Sequence, residues 1–213
     1  TAGVRSAATH PPHAFRAPSV RSCRREIAVR PECPVAQVAT PASDNAPMDQ
    51  TCNIAAALPR LARECPERVA IRCPGSGGRY DVALTYAQLD ARSDAIAAGL
   101  AARGVVAGSR CVVMLRPTPE FFLVMFALFK LGAVPVLIDP GIDKRALKQC
   151  LAQAMPVAFI GIPLALLAKA VLGWAPTVPL RITTGRIALL ANATLAQVES
   201  TGAKAGPQLA STA

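Results

Sequence analysis

The chain has 213 residues, 52% of them hydrophobic, 17% charged and 4% aromatic, with 23 Lys and Arg against 13 Asp and Glu and a formal net charge of +10. That length supports one domain with a real core. A basic balance can signal nucleic acid or an anionic surface, but here the bases are dispersed, the longest cluster is Arg24-Arg25, and no aromatic ladder accompanies them, which argues against a nucleic-acid partner.

Residues 1–47 are rich in Pro, Ser, Arg and Thr and carry no sustained period of 2 or 3.6. They read as a disordered tail or as upstream read-through, with Met48 as the suspected true start. An organellar transit peptide is the alternative; Glu26, Glu32, Asp44 and the prolines count against it. Both histidines, His10 and His13, fall in this tail. No imidazole is therefore available later for a Ser-His or Cys-His pair or for a His-ligated metal. The seven cysteines form no CxxC and are irregularly spaced, which reads as free thiols in a reducing compartment, the cytoplasm.

From Thr51 a helix is predicted through Glu64, interrupted at Pro59, followed by a strand at Val69–Cys73. Cys73-Pro-Gly-Ser-Gly-Gly78 leads into a second strand at Tyr80–Leu84. A phosphate loop runs from a strand into a helix N-terminus; this glycine cluster runs from strand to strand and reads as a hairpin turn. Thr85 and Gln88 have capping-box spacing, and Leu89, Ile96 and Leu100 recur on one face of the helix they open, which Gly104 ends.

The pattern then becomes β-α-β-α-β. Cys111–Leu115 is a continuous apolar run, as in a strand buried on both faces. Thr118 is placed to cap a helix with Pro119 at its first position and Glu120 near its positive end, stopping at Gly132. Val134–Ile138 is a strand, Asp143 caps a helix through Ala154, Val157–Ile160 is a strand, and Leu164–Trp174 is helical. Alternation of this kind implies an α/β fold, part of a doubly wound parallel sheet with flanking helices. Residues 48–199 form that unit, and 200–213 read as an unfinished loop.

Candidate chemistry is sparse. Asp139 and Asp143 follow a parallel strand's carboxyl end, where ligands bind in open α/β sheets. Two carboxylates without a third ligand make a poor metal site, so Asp139 reads as a strand terminator and Asp143 as a cap. The Phe121, Phe122, Phe126, Phe129 stripe reads as core. The apolar runs Phe121–Ile138 and Val157–Trp174 could be taken for a membrane hairpin. Lys130 near the centre of the first, with Gly132 and Pro135 dividing it, argues for buried soluble elements.

Leu84-Thr-Tyr-Ala-Gln-Leu89 and Phe129-Lys-Leu-Gly-Ala-Val-Pro-Val-Leu-Ile-Asp-Pro140 together resemble the first two signature motifs of the adenylate-forming superfamily. The fuller stretch Arg116–Ile142, with Arg181-Ile-Thr-Thr-Gly185 and Ala193-Thr-Leu-Ala-Gln-Val-Glu199, resembles its fatty-acid-ligase-like branch, which includes the β-lactone synthetase of bacterial olefin biosynthesis. The resemblance spans about Asn53–Glu199. It implies an AMP-forming acyl ligase that uses ATP and magnesium to activate a fatty acyl or β-hydroxy acyl substrate as an acyl-adenylate. The superfamily's phosphate loop, acidic magnesium residue, ribose-binding aspartate and mobile lysine have no matching position here. Gly206-Pro-Gln-Leu-Ala-Ser-Thr-Ala213 resembles the approach to that loop. No catalytic, cofactor-binding or metal residue is therefore carried over. The expectation is an N-terminal fragment, inactive and binding no ATP or magnesium by itself, its sheet leaving apolar patches for later elements to cover. The alternatives are a membrane hairpin protein and a non-catalytic α/β interaction module.

Overall fold

A computed structural model describes residues 53–75, 78–138 and 143–205, all within the unit Ser43–Ala213. The expectations for residues 1–47, for Asp139 and for residues 206–213 lie outside the described residues.

The first helix does not run as predicted. A 3₁₀ turn at Ile54–Ala57, capped by Asn53, leads into α1, Leu58–Glu64. Pro59 lies in the first turn of α1, where its missing N–H has no helical partner to lose. It therefore opens the helix instead of interrupting it. Strand β1, Val69–Cys73, pairs antiparallel with β2, Val82–Thr85. At the predicted turn between them, Gly78 adopts φ +72° and its N–H donates to Gly75 O at 3.0 Å. Helix α2, Tyr86–Ala101, begins with the full capping box: the Gln88 amide donates to Thr85 Oγ1, and Thr85 N donates to Gln88 Oε1. Gly104, at φ +86°, ends it.

Five parallel strands follow: β3 Arg110–Met114, β4 Val134–Leu137, β5 Ala158–Gly161, β6 Leu180–Thr183 and β7 Ala193–Thr194. Their spatial order is β4-β3-β5-β6-β7. The connecting helices are α3 Pro119–Lys130, α4 Lys144–Ala154 and α5 Pro163–Leu172, and α6 Leu195–Ala205 follows β7. Helix α6 continues past the point where an unfinished loop was expected, because Thr194 and Gln197 form a second capping box and Val198 and Gly202 are buried. Thr118 precedes α3 as predicted, but its hydroxyl donates to Arg116 O at 3.4 Å and makes no cap bond.

Side chains alternate across the sheet and divide it between two cores. Cys111, Val113, Ile160 and Ile182 pack with α1, α2, α3 and α6. Val112 and Phe159, on the opposite face, pack with Leu147 and Leu151 of α4 and Ala165 and Leu166 of α5. The phenylalanine stripe of α3 is only half-buried. Leu123, Val124, Ala127 and Leu128 take the sheet-facing positions, and the rings form a fringe, with Phe126 and Phe129 edge-to-face at 6.4 Å.

Lys130 is not a stray charge in an apolar run. Its Nζ donates to Asp90 Oδ1 at 2.7 Å, Asp94 Oδ1 at 2.6 Å and Asp90 O at 3.0 Å, joining α3 to α2. Cys73, Cys111 and Cys150 are free thiols as expected, whereas Cys65 is disulfide-bonded. Irregular spacing in sequence does not report which thiols meet in space. Among the described residues, no helix is long and apolar enough to cross a membrane.

Candidate functional site

Strands β3 and β5 are neighbours, yet the chain leaves their carboxyl ends toward opposite faces: β3 leads to α3 in the first core, β5 to α5 in the second. Such a switch point opens a crevice at the strand ends, the usual ligand position in open α/β sheets. A pocket of about 610 Å³ lies there. Its floor is Val113, Met114 and Leu115 at the end of β3, with Leu137 and Ile138 from β4 and Ile162 after β5. Phe121, Ala165, Ala168 and Trp174 close the sides, and Arg116 is the charged side chain of the described lining. Trp174 is held in place by the turn after α5, where Gly173 adopts φ +63° and Trp174 N donates to Lys169 O. An apolar volume with one exposed cation at the mouth suits an amphiphile with an anionic head.

Asp143 does not join this pocket. Its Oδ2 accepts from Ala146 N at 3.1 Å, so it caps α4 as predicted. Tyr86 and Gln88 sit at the start of α2, Tyr86 packing on the first core. Cys111 is fully buried, and burial pushes its thiol up to about 11, the range of an inert thiol. Among the described residues no three His, Cys, Asp or Glu side chains come together. They do not offer the oxygen set that magnesium requires. No single segment of the sequence marks this pocket, which exists only once β3 lies between β4 and β5.

Lys169 is a further feature that the sequence did not mark. It lies on the sheet side of α5, 7% exposed, with Nζ 6.0 Å from the centre of the Phe159 ring. No carboxylate of the described residues pairs with it. Burial, reinforced by Arg181, lowers its pKa below the ordinary lysine value. A base shifted downward by folding destabilises the fold below its folded pKa, and the penalty fades as pH rises toward the unfolded value of about 10.4. Lys169→Met is expected to raise the melting temperature at pH 7, with a gain that shrinks as pH approaches that value. Melting curves of both proteins across this range test it; a gain that grows with pH contradicts it.

The profile of the AMP-binding enzyme family matches residues 58–209. The chain belongs to the AMP-binding enzyme family. It is 64% identical over 175 residues to the olefin beta-lactone synthetase of Xanthomonas campestris pv. campestris, covering 80% of this chain and 32% of that one. The corresponding protein of Stenotrophomonas maltophilia is 63% identical over 171 residues, covering 78% and 31%. The chain thus spans about a third of the length of these relatives. Among solved structures, apo MbtA of Mycobacterium smegmatis superposes with a TM-score of 0.55 at 30% identity, over 68% of this chain and 26% of that one. A long-chain-fatty-acid-CoA ligase (FadD1) of Archaeoglobus fulgidus gives 0.59 at 18% identity, over 71% and 30%, a likeness of fold alone. The family's parallel sheet with flanking helices is the architecture seen here.

Proposed function

We propose that these residues form the N-terminal part of an ATP-dependent acyl-activating ligase of the AMP-binding family, working in the cytoplasm on a fatty or β-hydroxy fatty acid. The observation that carries this reading is the 64% identity over 175 residues to an olefin beta-lactone synthetase. In that chemistry a substrate carboxylate attacks the α-phosphorus of ATP and pyrophosphate leaves. The β-hydroxyl then attacks the acyl carbon, loses its proton, and expels AMP to close a β-lactone. Magnesium, when bound, would offset phosphate charge.

The role assigned to the described residues is structural support. They supply the sheet, the switch-point pocket and the framework on which the phosphate-binding segment is carried. No residue of the chain is assigned a catalytic, nucleotide-binding or metal-binding role. The 213-residue chain alone is expected to show no ATP–pyrophosphate exchange and no saturable ATP binding. A chimera carrying its residues 53–205 in place of their counterpart in the Xanthomonas relative is expected to exchange pyrophosphate in the presence of β-hydroxy fatty acids. A folded chimera that remains inert with every β-hydroxy and plain fatty acid would falsify the substrate class. Exchange by the chain alone, surviving repurification, would place active-site groups within it.

A further inference from the structure

The switch-point pocket has a dry end and a wet end. Val113, Ala165 and Trp174 are almost fully buried, at 3%, 6% and 6% exposure, whereas Leu137 and Leu164 on the rim retain 57% and 65%. Arg116, also on the rim, is exposed. Apart from Arg116 and the Trp174 indole, no side chain of the described lining carries a strong hydrogen-bonding group. A nucleotide or a sugar seated here would leave hydroxyls and ring nitrogens buried and unpaired, each at the cost of its desolvation. A hydrocarbon chain has no such groups and gains in proportion to the apolar area it covers.

The charge at the rim selects the head group. No ion pair of the described residues engages Arg116, and it is the Arg116 carbonyl, not the guanidinium, that accepts from Thr118. Glu120, in the first turn of α3, exerts its charge on Cys73 and Arg92. An unpaired guanidinium presents a fork of donors that fits the two oxygens of a carboxylate. The described lining holds no acid to receive a cationic head.

We propose that this pocket binds one unbranched aliphatic carboxylate, with its head on Arg116 and the end of its tail against Trp174. Ala165 and Ala168 are the small side chains of α5 that leave room for the chain. The assignment goes beyond structural support and is independent of the ligase reading. Binding by these residues stands even if the chimera exchanges no pyrophosphate, and exchange by a chimera without such binding leaves the ligase reading intact.

Trp174 is the one tryptophan of the chain, so indole fluorescence reports the buried end of the pocket alone. The test titrates the 213-residue chain with dodecanoate below its micelle concentration. The same acid is then used brominated either at the terminal carbon or beside the carboxylate, since bromine quenches an indole only at contact. Expected is saturation at one ligand per chain, with strong quenching by the terminal bromine and several-fold weaker quenching by the other. Equal quenching, or the reverse order, overturns the proposal. A signal that does not saturate is adsorption to exposed apolar surface and overturns it too. Arg116→Gln is expected to weaken dodecanoate binding roughly tenfold and to leave dodecanol binding unchanged. An equal loss for both ligands, or no loss, rejects Arg116 as the head-group partner. Ala168→Leu, at a half-buried position, fills the pocket and is expected to remove binding while the melt is kept. Leu167→Ser, on the exposed side of the same helix, is expected to bind as the parent does. Binding retained by folded Ala168→Leu, or lost in Leu167→Ser, overturns the site. If Ala168→Leu does not fold, the brominated acids and Arg116→Gln still decide.

Discussion

Gly202→Ala is expected to lower stability by roughly 3 kcal/mol, at the upper end of overpacking costs. For a domain of this size that is a fall in melting temperature of roughly 6–12 °C. Gly202 on α6 and Gly99 on α2 let the two helices approach until backbone meets backbone. A Cβ on Gly202 would run into Ala95 O and Gly99 N, and one on Gly99 into Val198 O. These are main-chain atoms within helices, so no flexible side chain can swing away. Relief requires α6 to move outward. That movement would also disturb Arg92 and Glu199, whose two-pronged ion pair at 2.7 and 3.1 Å crosses the same joint. The higher helix propensity of alanine returns about 1 kcal/mol at most. Ser200→Ala, exposed on the same helix, is the control and is expected to be neutral within about 0.5 kcal/mol. Urea unfolding of the three proteins decides the matter, and a Gly202→Ala midpoint equal to that of the parent rejects the close-contact account.

Lys130→Met is expected to cost about 3 kcal/mol, the lower end for breaking a buried ion pair. The ammonium is enclosed, with 6% side-chain exposure, while Asp90 and Asp94 retain 18% and 24%. Methionine preserves the stem's packing but leaves two facing carboxylates without their cation, and water can reach them only partly. Adding Asp90→Asn and Asp94→Asn removes the uncompensated charge and is expected to recover most of the loss, because what is destabilising is the orphaned pair. A triple variant no more stable than Lys130→Met alone would show instead that the lysine acts through packing. Urea midpoints at fixed pH and low salt read all the variants.

Local signals were legible and distant ones were not. The Thr85–Gln88 capping box depends on residues three apart, and the structure forms it as read. The same spacing at Thr194 and Gln197 enters the sequence reading only within a family-like motif, and no helix is predicted there, whereas the structure forms α6 from it. Strands β6 and β7 escaped notice because they have only four and two residues, with Arg181, Thr183 and Thr194 breaking any apolar run. Lys130 was visible as a charge between hydrophobic residues. Its partners lie 36 and 40 residues earlier on another helix, a distance over which periodicity carries no information. The switch-point pocket depends on strand order, with β3 between β4 and β5, and that order follows from how crossovers pack and not from any single segment.

The joint between α2 and α6 also sets a schedule for folding. Its partners are separated by about a hundred residues, as the Arg92–Glu199 pair shows, its members 107 positions apart along the chain. Contacts of such long range form slowly, because loop closure must precede any gain. During synthesis α2 emerges long before α6, and Ile96 and Leu100, completely buried in the finished fold, lack part of their cover until residue 205 has left the ribosome. In that interval the unfinished chain exposes apolar surface of the kind that favours aggregation, and the interval closes when Gly202 seats against Gly99.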